Sequence, residues 1–175
     1  QYSTTFAVPL NNQQLSAQVP NSAIPSGTSQ RIVYARDVST SGIPFYQLYM
    51  MDDCGGNQTQ LLPGLTSQYF PDLNVQGQIA FNWDFTGSFE IYTMNNDGSN
   101  LSQRTFSAGF PHAPSYSPDG SSLTFERGGE LYILNLNTNE EYHLAAGQGY
   151  KSLPKWSPNG PRITFQNYIN NGFDI

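Results

Sequence analysis

Apolar and polar residues alternate along this chain in short bursts. Leu123, Thr124 and Phe125 form one burst, and Leu131, Tyr132 and Ile133 form the next. Bursts of four to eight residues rich in β-branched and aromatic side chains predict strands. Turn residues stand between them. Pro118-Asp119-Gly120 follows Pro114-Ser115-Tyr116-Ser117, and Gly128-Gly129 precedes Glu130-Leu131-Tyr132-Ile133-Leu134-Asn135. Proline presets one turn angle, and Asp-Gly tolerates the unusual ones. The stretch therefore reads as strand, turn, strand, turn, strand.

The same pattern returns. Pro154-Lys155-Trp156-Ser157-Pro158-Asn159-Gly160 followed by Ile163-Thr164-Phe165 is a near copy, and residues 71–81 are a looser one. Ser29-Gln30-Arg31-Ile32-Val33-Tyr34 keeps the second half. Ile32, Ile79, Leu123 and Ile163 are spaced by 47, 44 and 40 residues, and Leu48, Ile91, Leu131 and Ile175 by 43, 40 and 44. Two landmark series sharing a period near 40, with several strands per unit, predict propeller blades. The expected repeats are approximately 31–64, 65–108, 109–148 and 149–175, preceded by a segment 1–30 that leads into the first blade. No substantial helix is expected.

At these residues the chain resembles the TolB-type β-propeller repeat. The resemblance rests on the Ser-Pro-Asp-Gly turn at 117–120, the aliphatic-x-Phe strand at 123–125 and the acid-aliphatic-Tyr strand at 130–132. It covers roughly residues 30–175 and is tightest at 114–134 and 154–165. It implies an all-β propeller of about four blades, or part of a larger ring. It implies no particular function, because a fold is shared by many activities.

A blade has four strands. The last repeat reaches only its third, at Phe173, Asp174 and Ile175, where the chain stops. Near the other end, Tyr2, Thr4, Phe6 and Val8 alternate onto one face, and Thr5-Phe6-Ala7 resembles the expected fourth-strand run Thr105-Phe106-Ser107. Thr4, Thr5, Phe6, Ala7 and Val8 are therefore expected to complete the last blade, since an unfilled edge exposes unpaired backbone groups. That strand would close the chain's own ring or add to a neighbouring copy, and an exchange that does not close builds a filament or tube. Two other readings stand beside these: a disordered tail, and a fragment of a larger propeller.

Composition narrows the partners. Seven Lys and Arg against 13 Asp and Glu give a formal charge of −6, which excludes a phosphate-backbone partner. Only 11% of residues are charged, and 16 Asn and 14 Gln supply polarity in their place. Such an amide-rich surface fits extracellular and assembly-forming proteins. No run of 18 apolar residues predicts a membrane span. The start at Gln1 is read as a processed or partial chain, with export as the expected processing.

Motif-grade chemistry is missing. There is no G-x-S-x-G, no H-E-x-x-H and no Cys-x-x-Cys, and no cofactor or metal is expected. His112 and His143 belong by spacing to opposite ends of one blade. Cys54 is the single cysteine, and it is read as a turn residue. The oxygen-rich loops Asp52-Asp53-Cys54-Gly55-Gly56-Asn57 and Asn95-Asn96-Asp97-Gly98-Ser99-Asn100 read as strand-joining turns in preference to calcium loops. Asn57-Gln58-Thr59 and Asn100-Leu101-Ser102 match the glycosylation acceptor. Most aromatics fall at repeat positions and should pack between blades. Phe45, Tyr46, Trp83, Phe85, Tyr150 and Tyr168 lie in or beside loops and are the candidates for partner binding.

These features point to a non-enzymatic interaction or structural module of the cell envelope or exterior. Its expected partner is another copy of itself, as homo-oligomer or polymer, or another envelope protein. The rivals are the propeller portion of a hydrolase and a TolB-like ligand- or partner-binding protein.

Overall fold

The computed structural model describes residues 31–64, 66–106, 108–144, 147–169 and 172–174. The strand-donating residues Thr4, Thr5, Phe6, Ala7 and Val8 lie outside the described residues, as does Ile175. Four antiparallel sheets account for the strands that are described. The first runs β1 (Arg31–Asp37), β2 (Tyr46–Asp52), β3 (Thr59–Gln60). The second runs β4 (Gln68–Leu73), β5 (Gln78–Trp83), β6 (Glu90–Asn95), β7 (Ser102–Gln103). The third runs β8 (His112–Tyr116), β9 (Ser122–Arg127), β10 (Glu130–Asn135), β11 (Glu141–Leu144). The fourth runs β12 (Tyr150–Trp156), β13 (Ile163–Ile169), β14 (Gly172–Asp174). Each sheet is a meander, as in propeller blades.

Alternation places one side of each strand on the preceding sheet and the other on the following one. Ile79, Phe81 and Trp83 of β5 meet Leu48 and Met50 of β2, with Tyr92 and Met94 of β6 alongside. Ala80 and Ile91, on the opposite side of that sheet, meet Leu123 and Phe125 of β9. Phe81 and Phe125 are 0% exposed because both faces of the interior sheets are covered. Their counterparts at the two ends, Tyr34 and Phe165, are only half-buried.

Two polar devices repeat with the sheets. Asp72 of β4 accepts the backbone N–H of Tyr116 in the next sheet at 2.7 Å, and Ser115 of β8 accepts that of Trp156 at 3.4 Å. A polar residue at the start of β2, β6 and β10 grips the segment leading to the next sheet or that sheet itself. Gln47 accepts Gly64 N–H at 3.0 Å, Glu90 accepts the Thr105 hydroxyl at 2.5 Å, and Glu130 accepts the Lys151 ammonium at 3.0 Å. This explains why an acid or amide recurs before the aliphatic-Tyr pair.

Each of the three described innermost strands carries a bulge at an X-Pro pair. Proline cannot donate to the ladder, and it denies the preceding residue the right-handed helical region. Phe70, Ala113 and Leu153, each followed by proline, take φ of 50°, 53° and 49°. At the opposite ends of the sheets the turns close on themselves. Asp119 accepts Ser121 N–H at 3.1 Å and the Ser117 hydroxyl at 2.6 Å. Gly120 has φ of 73°, and a Cβ there would stand 2.7 Å from Gln76 Oε1.

Burial differs sharply between an interior and an end sheet, so stability should too. Leu123→Ala should cost about 2–5 kcal/mol, as expected for a fully buried leucine. Ile163→Ala, at the equivalent half-buried position, should cost clearly less. Urea unfolding of the two variants checks this, and equal losses would contradict the burial pattern.

Candidate functional site

Left-handed residues before proline, one in the β4 bulge and one just ahead of β8, aim side chains outward. Phe70, before Pro71, is 48% exposed, and Phe110, at φ of 54° before Pro111, is 62% exposed. An exposed aromatic in a left-handed conformation is uncommon, and such strain concentrates at binding sites. With Tyr69, Phe89, Asn82 and His112, these two phenylalanines line a cleft of about 380 Å³ between the second and third sheets. The lining it presents is apolar. The rings form a connected chain: Tyr46 to Tyr69 at 5.3 Å, Tyr69 to Phe89 at 5.7 Å, Tyr69 to Phe70 at 6.4 Å, and Phe70 to His112 at 6.1 Å.

The floor of the cleft is polar but saturated. Asn82 is buried at the end of β5; its amide donates to Pro111 O at 2.6 Å and its carbonyl oxygen accepts Ala113 N–H at 2.8 Å. It therefore fixes the start of β8. His112 follows. Its Nε2 meets the carboxylate of Glu126, which is wholly buried on the adjacent strand. Its Nδ1 lies 3.0 Å from Phe110 O. Glu126 Oε1 also accepts Gly129 N–H at 2.6 Å, and the Tyr150 hydroxyl approaches at 3.4 Å. The hydrogen bond to Glu126 holds the His112 imidazolium above the ordinary histidine range, with burial opposing. At the neighbouring latch, burial pushes the Glu90 carboxyl up, and the Thr105 hydroxyl opposes.

The loop aromatics singled out from sequence are divided by the structure. Tyr46 joins the ring chain through Tyr69. Phe45 is half-buried beside it, its N–H donating to Asp37 at 3.1 Å. Trp83 was expected near a loop surface but is only 6% exposed. As the last residue of β5 it turns inward, edge-on to Tyr92 at 5.3 Å, and Phe85 covers it at 4.6 Å. Phe85 remains exposed. Tyr150 and Tyr168 pair across β12 and β13, both exposed. Gly129 lets Tyr150 approach, since a Cβ there would lie 2.5 Å from its ring. Phe173 and Asp174 fall in β14. The cleft residues Phe70, Phe89, Phe110 and His112 were not among the sequence candidates. The available signal was a bulky aromatic before proline, at Phe70-Pro71 and Phe110-Pro111.

The oxygen-rich loops are occupied internally. Asp52 Oδ1 accepts Gly56 N–H at 2.6 Å and Cys54 N–H at 3.1 Å, and Oδ2 accepts the Asn57 amide at 2.9 Å. Asp52, Asp53 and Cys54 bring their ligand atoms within 4.8 Å, but as one surface turn closed by its own backbone. The Asp53 carboxylate, then that of Asp52, raises the Cys54 thiol above its ordinary range. No helix among the described residues is long and apolar enough to cross a membrane.

No family model matches the chain. Over 74 residues, 40% of its length, it is 34% identical to the protein TolB homolog of Chlorobium luteolum, of which it covers 17%. In fold it resembles the putative TolB of Agrobacterium tumefaciens, with TM-score 0.68 and 20% identity over 81% of this chain and 52% of that one. TolB from Acinetobacter baumannii gives TM-score 0.63 and 23% identity over 82% and 40%. The tricorn protease also matches, at TM-score 0.51 and 21% identity over 75% and 14%. The fold is that of the TolB-like propellers. Enzymes share it, so fold alone assigns no activity. The chain spans 17% to 52% of the length of these TolB proteins.

Two outcomes check the electrostatics. His112 should titrate above about 6.5, followed by NMR of its ring proton. A raised histidine contributes stability that is complete below its unfolded value and lost as pH rises through the folded one. Urea stability should therefore decline as pH rises from about 6.5 through the raised His112 titration, and Glu126→Gln should remove that decline. Alkylation of Cys54 should reach half its maximal rate above the ordinary thiol pH of about 8.5; a midpoint at or below it would contradict the acidic turn.

Proposed function

We propose that this chain is a non-enzymatic protein-binding module of the cell envelope or exterior, and that its partner docks on the aromatic cleft. The observation that carries this reading is the pair of strained, exposed phenylalanines, Phe70 and Phe110, over an apolar cleft with a saturated polar floor. Aromatic anchors around a concave site are the usual core of a protein interface. Tyr46, Phe45, Phe85, Tyr150 and Tyr168 would extend the contact around this end of the sheets. The envelope placement is supported by the amide-rich, weakly charged composition and by the likeness to TolB proteins.

A second reading rests on the sheet edges. Among the described residues nothing pairs with the inner edge of β1 or the outer edge of β14. The first and last sheets have three described strands where the two between have four, which suits strand addition, with Thr4, Thr5, Phe6, Ala7 and Val8 as donor and Phe173, Asp174 and Ile175 as acceptor. The four repeats then either close within one chain or link copies into a polymer.

The cleft is tested with Phe70→Ala/Phe110→Ala. Both rings are exposed, so urea stability should change little, while cross-linking to a partner in an envelope fraction should fall about tenfold or more, the loss expected of hot-spot aromatics. Full retention of every cross-link would sink the cleft as the docking site. Electron microscopy of the purified chain separates the second reading: filaments support exchange between copies, and single closed particles at high concentration exclude it.

A further inference from the structure

The cleft has a property that its shape alone does not explain. Both ring nitrogens of His112 face groups that only accept. Nδ1 is 3.0 Å from the Phe110 carbonyl, and Nε2 meets the Glu126 carboxylate. A neutral imidazole has one N–H, so with Glu126 ionised the two contacts together require the imidazolium. We infer that the cleft is proton-gated: it is assembled to take an uncharged apolar group while His112 carries both ring protons, and it comes apart when one is lost. This deepens the reading of the cleft as a binding site and rests on it.

Loss of the proton acts through named groups. If Nδ1 gives it up, the Phe110 carbonyl loses its donor, and Phe110 is a wall of the cleft held at φ of 54°. If Nε2 does, Glu126 Oε2 is left as a buried charge, for His112 is the ion partner given for it among the described residues. A buried carboxylate without its cation is strongly destabilising, so the strand start at His112 must shift. The chemistry of the guest follows from the same contacts. Asn82 and His112 already bond Pro111, Ala113, Phe110 and Glu126. The surface left open to a guest is apolar, and rings form the rest of the lining.

The other titratable and charged groups around His112 sit on each packed element. Strand β9 contributes Glu126 and Arg127, whose stem lies against Gly109. Strand β12 contributes Tyr150 through its contact with Glu126, and β4 contributes Tyr69. Strand β6 contributes Glu90, which interacts with Arg127, and β5 only the neutral Asn82. Tyrosines titrate far above neutrality, and burial raises Tyr150 further. Because Glu126 stabilises the protonated ring, the cleft should be competent below the raised His112 titration and fail as pH rises through it.

The test uses the whole chain and N-phenyl-1-naphthylamine, a neutral fluorophore that brightens in apolar sites. Its binding is titrated from roughly pH 5.5 to 9, the range that brackets histidine, while NMR follows His112 in the same samples. The expected result is a dissociation constant that rises about tenfold as His112 deprotonates, as one lost charge-assisted hydrogen bond would produce. Phe110→Ala should abolish the acid-side binding, and His112→Gln should bind independently of pH. Probe binding that depends on Phe110 but stays flat through the His112 titration, or a pH step that persists in His112→Gln, overturns the gate and leaves the cleft standing. Probe binding indifferent to Phe110→Ala overturns both.

Discussion

No sheet in this protein owns a complete core, and the rest of the structure follows from that constraint. The aliphatic row of one sheet, Leu48 and Met50, is covered by Ile79, Phe81 and Trp83 of the next. Ile91 packs with Leu123 and Phe125 of the sheet after that. A single blade would leave one apolar face in water, so the unit must be stacked to be stable. Apolar burial favours stacking without direction, and the repeated polar grips supply the direction. Asp72 and Ser115 hold the inner strands in register, while Gln47, Glu90 and Glu130 hold the connections further out. At the two ends of the series the same positions are half-buried, and this is where another blade or strand would add.

The proposed docking cleft lies where the repeat cannot be regular. A proline in each of the three described inner strands breaks the ladder, and the residue before it swings into a left-handed conformation. At Ala113 this has no consequence for the surface. At Phe70 it lifts an aromatic ring out of the packing and onto the cleft. The same bulge in β8 brings His112 opposite the buried Glu126 instead of another aromatic. The cleft is thus a by-product of blade geometry, furnished differently in each blade.

The blade pattern was legible because it is written in local chemistry repeated at one period. Pro-Asp-Gly and Pro-Asn-Gly mark turns, and Leu123, Phe125, Ile163 and Phe165 mark strands, before any tertiary contact is known. The acid before Leu131 was visible as a pattern, but its partner Lys151 lies 21 residues away and was not. Trp83 shows the same limit. Its position beside a loop pointed outward, whereas its burial depends on Tyr92 and Phe85 closing around it.

The cleft was the least legible part. Tyr69, Phe70, Phe110 and His112 are ordinary aromatics of a repeat when read along the chain, and they become a site only where two sheets meet. The sequence by itself determined strands, turns, their period and the stacking of like units, since these depend on neighbours within a few residues. Tertiary structure alone decided which rings are covered, which carboxylate faces which histidine, and where a cleft opens. Those outcomes depend on side chains 14 to 42 residues apart whose approach is set by blade packing, and no local pattern encodes it.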